Sequence, residues 1–427
     1  MAERKITVTE TAKSKNTVLY NFTYSEDLKN YFNPDEKFFI EYGIGDKGEL
    51  NTDIATIPDS ILTVPFLCNV LPIAWLLDAE IRVKTVDKSF YESIPEFKNG
   101  YINMYPKIDF KGKLIADEII ENKYDTETKN RLTFFSGGVD SFNTLVNHAD
   151  EKPVLMTLWG ADVPFGDITG WNNVKLHIEK TAAQFGVKYC CIKSNFRKFL
   201  NEGSLSRLVE KKAGDKWWHG FQHGIGLIGH AAPLAYLFNS DVVYIASTFA
   251  AKDAGKVTCA SDPTIDNFVR FADSRVIHDG GDSTRPDKIR NIIGYCGKQN
   301  KNIKLRVCWQ SSGGKNCCKC EKCYRTVMEI LAEGYDPNKF GLSYKREDNE
   351  KIKRYIKYKY KVYHTIHWRH IQQQLRNNSH VVENSPELKW IFTFDFEKIN
   401  DNPAKKAYLL YRRCVNCMKK IKRVLSK

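Results

Sequence analysis

The chain has 427 residues, 42% of them hydrophobic and 27% charged, which is ordinary for a globular protein with a large core and two or three domains. The net charge of +14 is unevenly placed, because residues 341–427 hold 21 Lys/Arg and 8 Asp/Glu and leave residues 1–340 at only +1. This charge distribution excludes a uniformly basic protein. It indicates an anionic partner for the basic tail, residues 341–427, unless the tail is only a solvated charged face.

The N-terminal region predicts a protein that stays in the cytoplasm. No apolar stretch follows the basic start, so no secretory signal is predicted. The longest apolar run, Ile61–Leu77, contains Asn69 and two prolines and is short for a membrane span, which favours a buried core helix. In a reducing cytoplasm, twelve cysteines favour metal binding or catalysis over disulfides.

The sequence changes character twice along its length. Residues 1–128 mix strand-like runs such as Phe38–Tyr42 with the apolar helix and predict an accessory α+β domain, followed by a polar linker at 121–129. Residues 129–340 alternate apolar strand-like runs with helical patterns and predict an α/β domain with a parallel sheet. Residues 341–427 predict a basic, mostly helical region.

The α/β region has a regular order of predicted elements. Strands are predicted at 132–135, 154–159, 188–192 and 242–246, and helices at 140–149, 173–185 and 221–238. Right-handed crossovers would align these strands in parallel. Ligands of such sheets bind beyond the carboxyl ends of the strands, so a motif at that edge is a candidate site.

A glycine turn follows the first strand of this region. Its residues are Ser136, Gly137, Gly138, Val139, Asp140 and Ser141. Glycines let backbone N–H groups approach a ligand, and the following helix N-terminus adds unpaired donors and partial positive charge, which together favour phosphate. Ser136 and Ser141 add hydroxyl donors, and Asp140 is expected to cap the helix or hold Mg²⁺. The alternative is an ordinary glycine turn before a capped helix.

Two other nucleotide motifs are weighed against this turn. A Walker A motif is absent from the sequence, which disfavours a γ-phosphate-cleaving P-loop ATPase. The string GIGLIG at 224–229 matches the dinucleotide pattern G-x-G-x-x-G, but no strand-like run precedes it. We therefore interpret 224–229 as a closely packed, glycine-rich helix.

Four cysteines predict a metal site. Cys308, Cys317, Cys320 and Cys323 follow the pattern C-x8-C-x2-C-x2-C. Four thiolates suit a closed tetrahedral zinc site, and zinc is favoured over an iron–sulfur cluster because the C-x3-C-P ending of ferredoxins is missing. Cys318 is either a packing residue or a replacement ligand.

The string at 136–141 resembles the signature of the PP-loop, or N-type, ATP pyrophosphatases. Together with the cysteine pattern and Gly313-Gly314 between its first two members, it is similar to the 7-cyano-7-deazaguanine synthase family of queuosine biosynthesis over residues 131–335. The resemblance implies an α/β parallel-sheet PP-loop (HUP-like) core with a four-cysteine zinc module. It also implies that ATP, Mg²⁺ and Zn²⁺ are bound.

The resemblance further implies roles for individual residues. ATP phosphate would lie at Ser136–Ser141, with Asp140 and Ser141 acting in catalysis, and Ser247 would lie on the nucleotide side. Looser matches assign substrate contacts to His223, Asp262, Arg285 and Lys288. Related proteins occur in antiphage defence and surface-polysaccharide gene clusters. Because the chain adds long segments before and after the resembling region, its substrate could instead be another nucleobase, a protein terminus or a sugar.

The predicted activity is adenylation. ATP would be cleaved to AMP and pyrophosphate, activating a carboxylate or amide oxygen that ammonia or an amine then attacks. Sulfur transfer is the alternative within the enzyme class, and Cys259 and Cys296 are its candidate sulfur carriers unless they are ordinary buried cysteines. A non-catalytic PP-loop protein bound to nucleic acid or membrane is the alternative outside it.

The remaining histidines and cysteines are interpreted more plainly. His219 and His223 are spaced i,i+4 before the long predicted helix, and His230 lies one face further on. All three either contact substrate or Mg²⁺ or are packing residues. Cys190-Cys191 is expected to be buried. Cys414 and Cys417 are assigned to the apolar face of an amphipathic helix at 404–427.

The sequence of the basic tail is compatible with more than one kind of partner. Lys and Arg interleaved with Tyr and Trp from 351 to 370 suit nucleic acid, through phosphate contacts and base stacking. The amphipathic helix at 404–427 suits an anionic membrane surface equally well. An acidic protein surface is a third partner, and a homodimer is compatible with the sequence.

Overall fold

The computed structural model describes residues 4–43, 49–50, 52–123, 129–308 and 313–425, with side chains up to 419. They form two compact units, the first comprising 1–283 and 312–314 and the second comprising 284–311 and 315–427. The boundaries at 128/129 and 340/341 stay predictions. Most of the linker expected at 121–129 lies outside the described residues.

All the strands of the described residues belong to one sheet of the first unit. Its eleven strands are β1 Lys5–Lys13, β2 Thr17–Tyr24, β3 Phe38–Tyr42, β4 Glu80–Asp87, β5 Lys113–Ile120, β6 Asn130–Phe134, β7 Val154–Trp159, β8 Tyr189–Ser194, β9 Ser240–Ala246, β10 Arg270–Phe271 and β11 Ser274–Asp279. Their order across the sheet is β10-β11-β9-β6-β7-β8-β3-β2-β1-β4-β5. The predicted α/β class is confirmed.

The helices of the first unit connect and cover these strands. They are α1 Asp59–Leu62, α2 Val64–Leu77, α3 Lys88–Met104, α4 Val139–Asn147, α5 Ile168–Phe185, α6 Glu202–Ala213, α7 His223–Ile228, α8 Ala232–Leu237 and α9 Pro263–Asp266. The second unit is helical in its described residues. Its helices are α10 Arg285–Gln299, α11 Glu321–Ala332, α12 Asp348–Arg354, α13 Thr365–Asn377, α14 Ser379–Asn384, α15 Lys389–Thr393 and α16 Pro403–Leu425.

The central strands β6, β7, β8, β9 and β11 are parallel to their neighbours within this set. The chain runs outward from β6 through β7 to β8, then returns to the other side of β6 with β9 and continues outward to β11. The strand order therefore reverses between β6 and β9. In open parallel sheets, this switch point leaves a crevice at the carboxyl ends of the strands where ligands bind.

The N-terminal strands continue the same sheet. β3 pairs with β8 in antiparallel register, Tyr42 opposite Ile192, and β2 and β1 follow as an antiparallel ribbon. The pairing covers the edge that β8 would otherwise expose. The composition boundary at residue 128 thus falls within one sheet.

Helix α2 is the buried core helix that the apolar run predicts. All of its residues except Leu76 are buried, and a helix that is apolar on every side needs such a position. Its polar Asn69 is fully buried and accepts a hydrogen bond from Gln222 at 2.8 Å. In the described residues, no helix combines the length and apolar character needed to cross a membrane.

The helix expected at 221–238 is present as a continuous helical run with irregular turns. The structure has a π-helix at Trp218–Gln222, then α7, a 3-10 turn at Gly229–Ala231, and α8. The expected close packing is confirmed, because a Cβ on Gly226 would lie 2.8 Å from the Asn69 side chain.

Helix α16 confirms the amphipathic helix expected near the C-terminus. Leu410, Tyr411 and Met418 of its apolar face are exposed, as are Cys414 and Cys417. These apolar side chains of the described part of α16 are thus exposed.

The packing of α2 against the turn at Gly229–Ala231 generates a prediction. Gly229→Ala should lower the free energy of unfolding by about 1–3 kcal/mol, as overpacked cores do, because the new methyl carbon would lie 2.6 Å from Cβ of Cys68. Chemical denaturation followed by circular dichroism measures this. Gly203→Ala in α6 is the matched control, since its nearest contact is 3.5 Å. Equal losses in both variants would contradict the packing argument.

Candidate functional site

The glycine turn lies where the sequence places it, directly beyond the carboxyl end of β6. Gly137 has φ of +76°, a conformation that favours glycine, and Gly138 is the N-cap of α4. The N-cap has no side chain of its own, and its N–H donates to the Ser136 hydroxyl at 3.4 Å. The N-terminus of α4 therefore lies at the strand switch point, and helix N-termini carry the donors and partial positive charge that favour an anion.

Two hydroxyls shape the turn from within. The Ser141 hydroxyl donates to the Gly138 carbonyl at 3.2 Å and accepts from the Ser136 N–H at 3.3 Å. Ser141 is buried, whereas Ser136 is exposed and Asp140 is half-buried. The Ser136 hydroxyl lies 3.3 Å from the Ser141 hydroxyl and accepts from the Gly138 N–H at 3.4 Å, so both serines hold the loop in shape.

An acidic residue that sequence reasoning missed anchors α4. Asp279, at the end of β11, accepts a hydrogen bond from Thr144 at 2.7 Å and lies 2.9 Å from Nε2 of His148. Burial alone would lower the pKa of His148, but hydrogen bonds to Asp279 and Glu151 raise that pKa above its ordinary value. The sequence offered one signal for this residue, since Asp279 ends a strand-like run and ligands bind at the carboxyl ends of parallel strands.

Ser247 follows β9 at the same edge of the sheet. Its side chain is buried, its hydroxyl donates to the Phe249 carbonyl at 2.6 Å, and its N–H donates to the Asp279 carbonyl at 2.8 Å. The structure therefore brings Ser247 to the crevice edge, with its hydroxyl engaged in shaping the loop.

The four predicted cysteines meet in the second unit. Their Sγ atoms lie within 4.8 Å of one another, close enough to hold a metal ion such as zinc. A hydrogen bond from Cys323 is the main reason that the pKa of Cys320 falls to about 5, and the same bond raises the pKa of Cys323. Four soft donors at this spacing fit a tetrahedral metal site.

Asn316 fixes the loop that carries the cysteines. Its side-chain oxygen accepts from the backbone N–H groups of Val307 and Cys308, and its amide donates to the Leu305 carbonyl at 2.8 Å. The Cys318 sulfur lies 3.9 Å from the Asn316 carbonyl and is outside the metal-binding set. The packing interpretation of Cys318 agrees with this geometry.

The residues assigned to substrate by looser matches have structural partners. Asp262 caps α9 by accepting from the Thr264 N–H at 2.9 Å. Arg285 is buried in the second unit, where its guanidinium donates to Glu329 at 3.0 and 3.3 Å. Lys288 is buried in the same unit.

The histidines divide into two kinds. His230 is fully buried between the Gly226 carbonyl and the Ser194 hydroxyl, and burial lowers its pKa to about 4, as expected of a packing residue. His223 instead places Nδ1 at 3.7 Å from the Cys259 sulfur. His219 pairs with Asp215, an i,i+4 spacing that was visible in the sequence.

No protein-family model, curated protein or solved structure matches the chain. The candidate sites therefore stand on their geometry.

The cysteine cluster predicts metal content. Cys320→Ser should reduce zinc from about one ion per chain to near zero, because a closed four-thiolate site needs all its ligands. Metal analysis by mass spectrometry after purification with zinc checks this. Cys318→Ser is the matched control and should keep the metal; loss of zinc from both variants alike would contradict the ligand assignment.

The His148–Asp279 contact predicts a pH-dependent contribution to stability. Since the folded-state pKa of His148 is raised, its contribution is complete below the unfolded pKa of about 6.5 and is lost as pH rises through the folded value. His148→Gln should therefore destabilise the protein more at pH 6 than at pH 9 in denaturation experiments. A loss that is larger at pH 9 would contradict the assignment.

Proposed function

We propose that this chain is an ATP-dependent adenylating enzyme of the PP-loop pyrophosphatase type. It would cleave ATP to AMP and pyrophosphate and activate a carboxylate or amide oxygen for attack by ammonia or an amine. The observation that carries the proposal is the position of Ser136–Ser141, which sets a glycine turn and a helix N-terminus at the strand switch point of the parallel strands.

The turn supports a role in holding the phosphates of ATP. Backbone N–H groups in the first turn of α4 would bind the β- and γ-phosphates and stabilise the charge that grows as pyrophosphate leaves. These donors cost no reorganisation, because the turn is held by Ser141 and the helix by Asp279. The resemblance to the deazaguanine synthases makes a carboxylated deazapurine the first substrate to consider.

Asp140 fits a role in magnesium binding. Its carboxylate is half-buried in the first turn of α4, next to the expected phosphates, and oxygen ligands suit Mg²⁺. A magnesium ion held there would neutralise phosphate charge. Zinc at the four cysteines would be structural, since protein thiolates fill all four positions.

The basic C-terminal region supports a second, separate proposal about partners. The exposed Leu410 and Tyr411 lie on α16 among exposed Lys and Arg side chains. This combination suits an anionic surface that also accepts apolar groups, as anionic membranes do. Nucleic acid and an acidic protein remain the alternative partners.

The proposed activity is tested by its products. Purified protein with ATP, Mg²⁺, ammonia and a carboxylated deazapurine should form AMP and pyrophosphate, scored by mass spectrometry. Asp140→Asn should reduce this rate on the order of 100-fold, the scale for losing a positioned electrostatic group, while leaving the circular dichroism spectrum unchanged.

The matched control is Asp150→Asn, which alters an exposed carboxylate just beyond α4. That variant should keep the wild-type rate. Formation of ADP and phosphate in place of AMP and pyrophosphate, or an Asp140→Asn rate equal to that of the control, would overturn the proposal.

A further inference from the structure

A second cluster of reactive groups lies in the first unit. The His219 ring donates from Nδ1 to the Asp215 carboxylate at 2.8 Å, and His223 places its Nδ1 at 3.7 Å from the Cys259 sulfur. The Cys259 thiol also interacts with His219 and raises the pKa of that histidine. Thr258 also donates to Asp215, at 3.1 Å. Nucleophilic catalysis requires a nucleophile, a base and a group that orients the base. Cys259, His219 and Asp215 are of the residue types that fill these three roles.

The cluster favours a thiolate at neutral pH. Burial would raise the pKa of Cys259, but hydrogen bonds from His219 and His223 lower that pKa to about 6. Burial would likewise lower the pKa of His219, but the contacts with Asp215 and Cys259 raise it to about 10. A thiolate next to an imidazolium is the reactive form of a catalytic cysteine.

Buried hydrogen bonds hold the histidines in place. His219 lies in the π-helix at Trp218–Gln222, and π-helical turns are frequent at functional sites. Gln222 accepts from the Trp217 indole at 3.0 Å and donates to Asn69 at 2.8 Å. The helical turn that carries the base is therefore fixed to the core helix α2.

The cluster lies at the carboxyl edge of the parallel strands. Gln222 donates to the carbonyl of Phe196, two residues beyond β8, at 3.0 Å. On the other side, Ser261 donates to Asp266, which also contacts His278 near the end of β11 at 2.8 Å. Ser136–Ser141 lies at this same edge, beyond β6.

The two sites approach that edge from opposite faces of the sheet. Successive residues of a strand point to opposite faces. Asp279 of β11 contacts Thr144 of α4, whereas the preceding residue, His278, contacts Asp266 of α9. The phosphate turn and the Cys259 cluster thus lie at one edge of the sheet, on its two faces.

A cluster of cysteine and histidine side chains can also be a metal site. Among the described residues, the one set of such groups with metal-binding spacing is Cys308, Cys317, Cys320 and Cys323. Cys259 and its histidines are not part of such a set. Of the two thiols that sequence reasoning singled out, Cys296 is half-buried and burial raises its pKa, which disfavours its thiolate.

We propose that Cys259 is a catalytic nucleophile that accepts the acyl group of the activated substrate as a thioester, with His219 as its acid–base partner and Asp215 as a positioning residue. The proposal rests on the proposed adenylating function for the origin of its acyl adenylate. It adds a covalent stage between the adenylate and the final amine acceptor.

The two chemical steps balance. The Cys259 sulfur attacks the acyl carbon of the adenylate, the bond from that carbon to the AMP oxygen breaks, and AMP leaves with its electron pair. His219, no longer paired with a thiolate, releases its proton to solvent. The amine nitrogen then attacks the thioester, the carbon–sulfur bond breaks, and His219 takes the amine proton, which restores the thiolate–imidazolium pair.

Synthetic acetyl adenylate tests this step without relying on ATP cleavage. The full-length protein should form an acetyl thioester at Cys259 at pH 7, detected by peptide mass spectrometry and removed by neutral hydroxylamine. Its rate should exceed that at Cys296 at least about tenfold, because the larger thiolate fraction outweighs the lower nucleophilicity. Equal rates at the two thiols, or no hydroxylamine-sensitive adduct at Cys259, would overturn the proposal.

Asp215→Asn tests the positioning residue. The substitution should slow acetylation of Cys259 roughly tenfold or more at pH 7. The acetylation rate of the variant should return toward the wild-type rate near pH 10, where the Cys259 thiol ionises without the histidine. Glu210→Gln, at an exposed position of α6, is the control and should behave as wild type. An unchanged pH profile in Asp215→Asn would contradict the role of the pair. If Cys259 is acetylated but the protein makes no AMP from ATP, the proposed adenylating function is refuted and the proposal of a Cys259 nucleophile stands.

Discussion

The parallel pairing of β6 with both β7 and β9 is the constraint on which the rest of the account depends. Because the chain leaves β6 in one direction and returns on its other side, the strand order of the described residues opens a crevice at the carboxyl end of β6. The residues that follow β6 must turn sharply at this opening, and Gly137 supplies the positive φ for the turn. The donors of α4 are thereby aimed at the opening, with Asp279 holding the helix against β11.

A second constraint acts from the core. Helix α2 is buried on nearly all sides, so its single polar side chain, Asn69, must find partners inside the protein. It does so with Gln222, at the end of the π-helix that carries His219. The requirement to satisfy one buried amide therefore fixes an irregular helix, and that helix presents its histidine to Cys259. Stability of the core and geometry of the second site are thus linked.

The sequence predicted the secondary-structure elements that have strong local patterns, but not the contacts between residues far apart in the chain. The strands Phe38–Tyr42 and Val154–Trp159 and the buried helix were predictable because each has a strong local pattern. The meeting of four cysteines followed from thiolate spacing. The pairing of β3 with β8 and the approach of Cys259 to His219 join residues far apart in sequence, for which no local signal exists. The helix expected at 221–238 is observed, but apolar spacing did not predict its π and 3-10 turns, which accompany its glycines and its packing against α2.

The most direct test of the central claim is a crystal structure of the protein with Mg²⁺ and α,β-methylene-ATP, which cannot be cleaved between its α- and β-phosphates. The β- and γ-phosphates should lie about 3 Å from the backbone nitrogens at the start of α4, the normal hydrogen-bond distance, with Mg²⁺ bound beside Asp140. A nucleotide bound away from Ser136–Ser141, or an empty crevice at saturating analogue, would contradict the central claim.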